Sequence, residues 1–450
     1  MSPFGPLWQG VLPNDPVFHA KSGRLAKLRR FRERARERIR NLSGVAVLLL
    51  LMPLLELLFR LAGKRTRHDQ QISSPRNILL IELTDIGDMA LASAFWRELR
   101  ARFPDAEITL LVQPSVLNLV ENCPYVNDTL TFHYRTLPRW KTARAGSLRW
   151  WLMALQLAAR ELWPRNIDLA VSPRWDSDGV FAVSGILAFV SGAQRRVGFI
   201  TSEVDQRTNR VSRAIGRLIN EGAERPAVKH EVEFRFDVLR ALGREPEKTH
   251  LETWTDSADE AAAERLCGGS ANGLLVAFAP GAAWDFRRWP AAKFAELGHW
   301  IQTERDARIV LIGGPPDRRL CGEIRDRLDS TRTIDVAGFL TLRETAAVLK
   351  RCGLFVGNDS GPLHIASAAG TPVVGLYGPG VYQRFRPWST PSEMIRLGLP
   401  CSPCPEHCLY ERPYCMEDIT VSAVRDAIGR VLQPSNHSDA RPIQQQPITP

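Results

Sequence analysis

From Arg76 onward the chain alternates short apolar runs with longer stretches of helical period. Ile78–Leu83 is continuous and apolar apart from Glu82, the signature of a strand buried on both faces of a parallel sheet. A helical stretch from Asp88 to Phe103 follows, then strand-like runs at Ile108–Val112, Thr129–Phe132, Leu169–Ser172 and Arg196–Phe199, with a second helical stretch at Ser147–Leu162. The same grammar restarts after residue 272. Leu274–Ala279, Arg308–Gly313, Leu354–Gly357 and Val373–Leu376 read as strands, and Ala291–Glu304, Asp317–Leu328, Leu342–Arg351 and Pro362–Ala369 as the helices between them. Alternating strands and helices predict an α/β protein with two doubly wound, Rossmann-like domains facing a cleft. The expected layout is an N-terminal segment at 1–74, a first domain at 75–252, a polar, Ala- and Gly-rich linker at 253–272, a second domain at 273–433 and a disordered Pro/Gln-rich tail at 434–450.

Composition changes this picture in one place. The 450 residues are 44% hydrophobic and 24% charged, an ordinary globular balance, with a net charge of +10. Fourteen Lys and Arg but only five Asp and Glu lie in residues 1–70, so nine of the ten net charges belong to the N-terminal segment. The near-neutral remainder argues against a nucleic-acid partner, which a folded basic face would read. Between Lys21 and Arg40 ten basic residues accompany an apolar stripe of Leu25, Leu28, Phe31, Ala35 and Ile39, a pattern suited to an anionic membrane surface. Next comes Val45–Leu55, uncharged and broken only by Pro53. The segment Val45–Leu61 is compatible with a helix in the interface, a span that accepts Pro53, Glu56 and Arg60, or a helix packed on the protein; a cleavable signal would need a shorter leader and a small-residue cleavage site. The arm is expected to associate with the inner face of the cytoplasmic membrane.

The chemistry gathers at three strand-to-helix junctions. The first reads Thr84-Asp85-Ile86-Gly87-Asp88, where Gly87 allows a tight turn and Asp88 falls near a helix start. A carboxylate there either caps the helix or takes a proton from a substrate hydroxyl. The second runs from Pro280-Gly281-Ala282 to Arg287-Arg288-Trp289-Pro290, small residues that admit a ligand followed by guanidinium forks for phosphate oxygens, or simply a solvated basic loop. The third is Gly357-Asn358-Asp359-Ser360-Gly361-Pro362-Leu363-His364, with Pro362 opening a helix whose free backbone N–H groups suit an anion. Two anion sites on loops of one domain fit a diphosphate-linked donor. Neither domain has G-x-G-x-x-G after its first strand or a Walker A lysine.

Together with Gly192-Ala193 and Arg196-Val197-Gly198-Phe199, these junctions resemble the ADP-heptose:lipopolysaccharide heptosyltransferase family, glycosyltransferases of the GT-B fold, from about Arg76 to Leu432. The resemblance implies an inverting transfer of heptose from ADP-heptose to a lipid-linked core acceptor, with no cofactor required. It makes Asp88 the base, places Arg287 where relatives usually carry Lys against the donor diphosphate, and sets Asp359 on the donor sugar. Ser360, Gly361 and His364 would receive the diphosphate, and Gly281 would line the donor loop. Asp176-Ser177-Asp178 has the form of a metal-binding D-x-D but reads as solvated loop in this architecture. Another nucleotide sugar, a protein acceptor or a nucleotide-sugar epimerase of similar body are the alternatives. Four cysteines cluster as Cys401-x2-Cys404-x3-Cys408-x6-Cys415, a spacing that admits structural zinc or iron, a disulfide or reduced thiols.

Overall fold

The computed structural model describes Leu54, Glu56, Leu57 and Phe59, then residues 74–133, 148–174, 180–200, 218–224, 228–268, 273–404, 408 and 410–433. Most of the basic arm, Asp176-Ser177-Asp178 and the tail lie outside the described residues. Among the described residues, no helix is long and apolar enough to cross a membrane.

The first lobe is a six-stranded parallel sheet of β1 (Asn77–Glu82), β2 (Glu107–Val112), β3 (Asp128–Thr131), β4 (Leu169–Val171), β5 (Arg195–Ile200) and β6 (Glu221–Glu224), in the order β3-β2-β1-β4-β5-β6. The second repeats that order with β7 (Leu275–Ala279), β8 (Arg308–Leu311), β9 (Thr333–Asp335), β10 (Leu354–Asn358), β11 (Val373–Leu376) and β12 (Ser392–Ile395), arranged β12-β11-β10-β7-β8-β9. All pairs are parallel. In each lobe the direction of winding reverses between the central strands, β1 and β4 in one and β7 and β10 in the other. That reversal opens the crevice where doubly wound sheets take ligands. Ile78, Leu79, Leu80, Val276, Ala277 and Phe278 are fully buried, as a sheet covered by helices on both faces requires.

The helices that matter below are α1 (Ile86–Arg102), α2 (Leu148–Leu157), α3 (Val180–Val190), α4 (Glu231–Ala241), α5 (Ser257–Cys267), α6 (Ala291–Glu304), α7 (Arg318–Arg325), α8 (Leu342–Lys350), α9 (Gly361–Ala368), α10 (Tyr382–Phe385) and α11 (Val421–Val431). The stretch read as a linker holds α5. Asp256 accepts from the backbone of Ala258 and Asp259 while Asp259 answers to the backbone of Asp256, a capping box that starts a helix of good helix formers. The same helix faces the second lobe through Arg343, which pairs with Asp259 at 2.9 Å. One residue of the N-terminal segment belongs to the first lobe's core. Phe59 is buried, edge-on to Trp163 at 6.0 Å and to Phe189 of α3 at 6.3 Å, while Leu54 and Leu57 are about half exposed.

Candidate active site in the cleft

The N-termini of α1 and α9 meet across the cleft. A β-carbon on Gly87 would lie 2.6 Å from Cδ2 of His364, and one on Gly361 would lie 3.1 Å from Cγ2 of Ile86. The lobes are therefore closed onto a contact that only glycine permits at Gly87. Asp88 stands in the first turn of α1, with Asp85 at the capping position, so Asp88 is not the cap. Its Oδ2 accepts from Nη1 of Arg174 at 2.6 Å, and its Oδ1 is buried without a hydrogen-bond partner among the described residues.

The second lobe's loops are tied together by Asn358, which is fully buried. Its Oδ1 accepts from the backbone of Trp289 at 3.1 Å and its Nδ2 donates to the carbonyl of Pro280 at 2.7 Å. This places the Pro280–Pro290 loop beside the N-terminus of α9. Of the two arginines there, Arg288 pairs with Asp285 of its own loop at 2.7 Å and donates to the carbonyl of Ala282. Arg287 instead stacks over Trp284 at 4.6 Å and points Nη1 at Asp359, 3.6 Å away. Gly281 leaves no room for a side chain because the carboxylate of Asp317 fills that space.

Burial pushes the Asp359 carboxyl up, and the charges of Arg287 and His364 pull it back while Asp88 adds to the rise. Burial lowers His364, against the pull of Asp359, Asp88 and Glu231, which favours a neutral imidazole. The hydroxyl of Ser360, Nδ1 of His364 and Nε of Arg287 are all buried without hydrogen-bond partners among the described residues. Buried polar atoms are normally paired. Here several unpaired ones share one cleft, which is the state expected of a site that completes its bonds with a ligand. Asp88, Arg287, Asp359, Ser360, Gly361 and His364 thus come together from both ends of the chain.

Sequence reasoning missed the ionic frame behind Asp88. Arg235 of α4 is fully buried, holds Glu82 through Nε at 3.1 Å and Nη2 at 3.3 Å, and donates Nη1 to Glu231 at 2.8 Å. Its Nη2 also reaches the backbone carbonyl of Asp88 at 3.4 Å. Burial pushes Glu231 up, but Arg384, Arg235 and Arg174 together hold it well below the usual carboxylate range. Arg384 comes from α10 of the other lobe and donates Nε to Glu231 at 2.5 Å. The available signal was local: Glu231 and Arg235 stand four apart on a helix with Val232, Phe236 and Leu239, where an ion pair on a buried face calls for partners. The cross-cleft partner had no such signal.

The cysteines do not form a metal cage as placed. Cys404 donates its thiol to the carbonyl of Cys401 at 3.2 Å and Cys408 to that of Arg412 at 3.5 Å. Burial and the neighbouring thiols push Cys404 up to about 12, and burial chiefly pushes Cys415 to about 11. No group of three or more His, Cys, Asp or Glu among the described residues is arranged to hold a metal ion.

Comparison with known proteins falls in line with this geometry. The family model for glycosyltransferase family 9 (heptosyltransferase) matches residues 178–414. Lipopolysaccharide heptosyltransferase 2 of Salmonella typhimurium is 27% identical over 333 residues, covering 71% of this chain and 88% of that protein. Among solved structures, a glycosyl transferase family 9 protein from Veillonella parvula superposes with a TM-score of 0.64 at 19% identity, covering 80% of this chain and 98% of the other. The E. coli heptosyltransferase WaaC, solved with ADP-2-deoxy-2-fluoro heptose, gives 0.59 at 17% identity, covering 79% and 99%.

Proposed function

The chain belongs to glycosyltransferase family 9, the heptosyltransferases, and from that premise we propose that it moves a heptose from ADP-heptose to a lipid-linked lipopolysaccharide core acceptor with inversion at the anomeric carbon. The observation that carries the mechanism is the divided carboxylate of Asp88: one oxygen anchored by Arg174, the other buried without a hydrogen-bond partner among the described residues. That unpaired oxygen takes the acceptor hydroxyl proton as the hydroxyl oxygen bonds to the anomeric carbon. The bond from that carbon to the diphosphate breaks on the opposite side, and ADP departs with the electron pair. Arg287 and the backbone N–H groups opening α9 receive the developing diphosphate charge, and Asp359 holds the sugar. The neutral imidazole of His364 offers the diphosphate a hydrogen bond without an added charge. No cofactor enters this scheme.

A donor of this kind is cytoplasmic and a lipid-linked acceptor lies at a membrane, so the basic arm is assigned to the inner face of the cytoplasmic membrane. Its charge distribution supports the assignment, since each basic residue near an anionic leaflet contributes about 1 kcal/mol. A structural zinc or iron at Cys401, Cys404, Cys408 and Cys415 would require rotation of Cys404 and Cys408 away from their carbonyl partners; metal analysis of the purified protein decides it. The activity is tested by incubating purified protein with ADP-heptose and heptose-deficient lipopolysaccharide, followed by mass spectrometry. An added heptose with ADP release is expected. Transfer from a different nucleotide sugar alone, or epimerisation of the donor without transfer, would replace this reading.

A further inference from the structure

We propose that Arg174 is a positioning residue for Asp88, and that the cross-lobe pair Glu231–Arg384 sets how firmly Arg174 holds it, so that closing the cleft tunes the base. The inference rests on the reading of Asp88 as the base. Arg174 lies in the loop after β4 and is nearly buried, as is Asp88. Its Nη1 is 2.6 Å from Asp88 Oδ2, while its Nε is 3.8 Å from Glu231 Oε1. Among the described carboxylates, the guanidinium thus contacts that of Asp88 and stands within ion-pair reach of that of Glu231.

What keeps it on Asp88 is the company of Glu231. That carboxylate is fully buried and already satisfied, by Arg235 from its own helix at 2.8 Å and by Arg384 from the opposite lobe at 2.5 Å. Arg235 is anchored a second time on Glu82 and travels with the first lobe. Arg384 does not. It sits on α10 of the donor lobe, stacked on Phe385 at 5.0 Å and on Phe234 of the first lobe at 5.4 Å. When the lobes part, Arg384 leaves with the donor lobe and Glu231 loses one of its two close cations. A buried carboxylate short of a cation is costly. The nearest further cation among the described residues is Arg174, 3.8 Å away. Opening therefore draws Arg174 from Asp88 toward Glu231, and closure returns it.

The remaining charged groups around Asp88 fit this sign. Arg235 faces its carbonyl, Glu82 neutralises Arg235, and Asp359 and His364 face it from the donor lobe with Arg287 behind Asp359. Among the described residues Arg174 is the cation that holds the Asp88 carboxylate directly, and its grip on Oδ2 fixes how that carboxylate is turned.

The test is the pH profile of kcat/KM, using ADP-heptose with a detergent-free truncated core acceptor. Arg174→Gln should lower kcat and move the acidic limb upward, with ADP binding by calorimetry unchanged, and Arg174→Lys should do both less. Arg384→Gln should shift the limb in the same direction but by a smaller step, and the double variant should go no further than Arg174→Gln alone. A limb that stays put in Arg174→Gln, with activity lowered equally at every pH, overturns the positioning role. Additive shifts, or none in Arg384→Gln, overturn the link to closure. Asp88→Asn serves as the separate control: wild-type turnover there removes Asp88 as base, whereas a loss of roughly 10²–10⁴ with unmoved arginine variants removes only this inference.

Discussion

Replacing Gly87 with alanine separates closure from stability. The new β-carbon would sit 2.6 Å from Cδ2 of His364, where ordinary contact needs 3.4–4 Å. The shortfall is about 1 Å. His364 is buried and its ring has little room to retreat, so holding the lobes shut would cost about 1–3 kcal/mol, the usual penalty of overpacking. The lobes can avoid that cost by parting. Gly87 has no positive φ to strain. Within a helix, alanine is also favoured over glycine by up to about 1 kcal/mol. The denaturation midpoint should therefore hold or rise. Catalysis should not, because a displacement of about 1 Å between reacting groups costs on the order of 10²-fold. A coupled assay for ADP release gives kcat/KM, and urea unfolding gives stability. Calorimetry with ADP should report normal binding if the second lobe takes the donor as proposed. Wild-type kcat/KM in Gly87→Ala would refute the argument, showing that turnover never reaches this contact. A lost midpoint would refute it differently, by making the glycine a folding requirement.

Other outcomes follow from the same geometry. Arg287→Ala should weaken ADP binding more than adenosine binding in paired calorimetric titrations, because the role proposed for the guanidinium is to hold the diphosphate; equal losses would assign it to another part of the donor. His230 is buried against Trp388 at 4.5 Å, and its Nε2 lies 2.8 Å from the carbonyl of Arg386 in the other lobe. Burial lowers it from 6.5 to about 3, so between those values the unfolded chain binds a proton the folded one refuses, and stability falls as pH drops. At pH 5 that share is about 2 kcal/mol, read as the part of the acid-induced midpoint loss that His230→Gln abolishes. Deleting residues 1–53, which spares Phe59, should release the protein from anionic vesicles in flotation without loss of transfer to a soluble acceptor; continued flotation would assign attachment to the lobes.

Legibility in the sequence followed burial. Central strands such as Ile78–Leu83 and Leu354–Gly357 were readable because both faces are covered and the run is continuously apolar. β6, β9 and β12 were not, because each is a sheet edge with half-exposed residues such as Glu221, Thr333 and Ser392. Edge strands keep polar side chains and leave little apolar run to find, although the edge strand β3 was still read from Thr129–Phe132. α5 was hidden by its alanines and charges, which read as a linker until the capping box of Asp256 and Asp259 is noticed. At the site, Asp88 and the Asp359–His364 turn announced themselves through local chemistry at strand ends. Arg174, Glu231 and Arg384 did not, since their meaning lies in pairings 86 and 153 residues apart. No window along the chain contains both members of such a pair.

Phe59 gives the arm a fixed root. Its ring is clasped by Trp163 and Phe189 in the lobe that carries Asp88, so whatever precedes it is leashed to that lobe and not to the nucleotide-holding one. If the arm rests on a lipid sheet as proposed, the two halves would acquire different addresses. One would be parked on the surface where acceptors diffuse, and the other would be left over water to exchange ADP for fresh donor. Nucleotide turnover would then require no take-off and landing, and the search for the next acceptor would run in two dimensions.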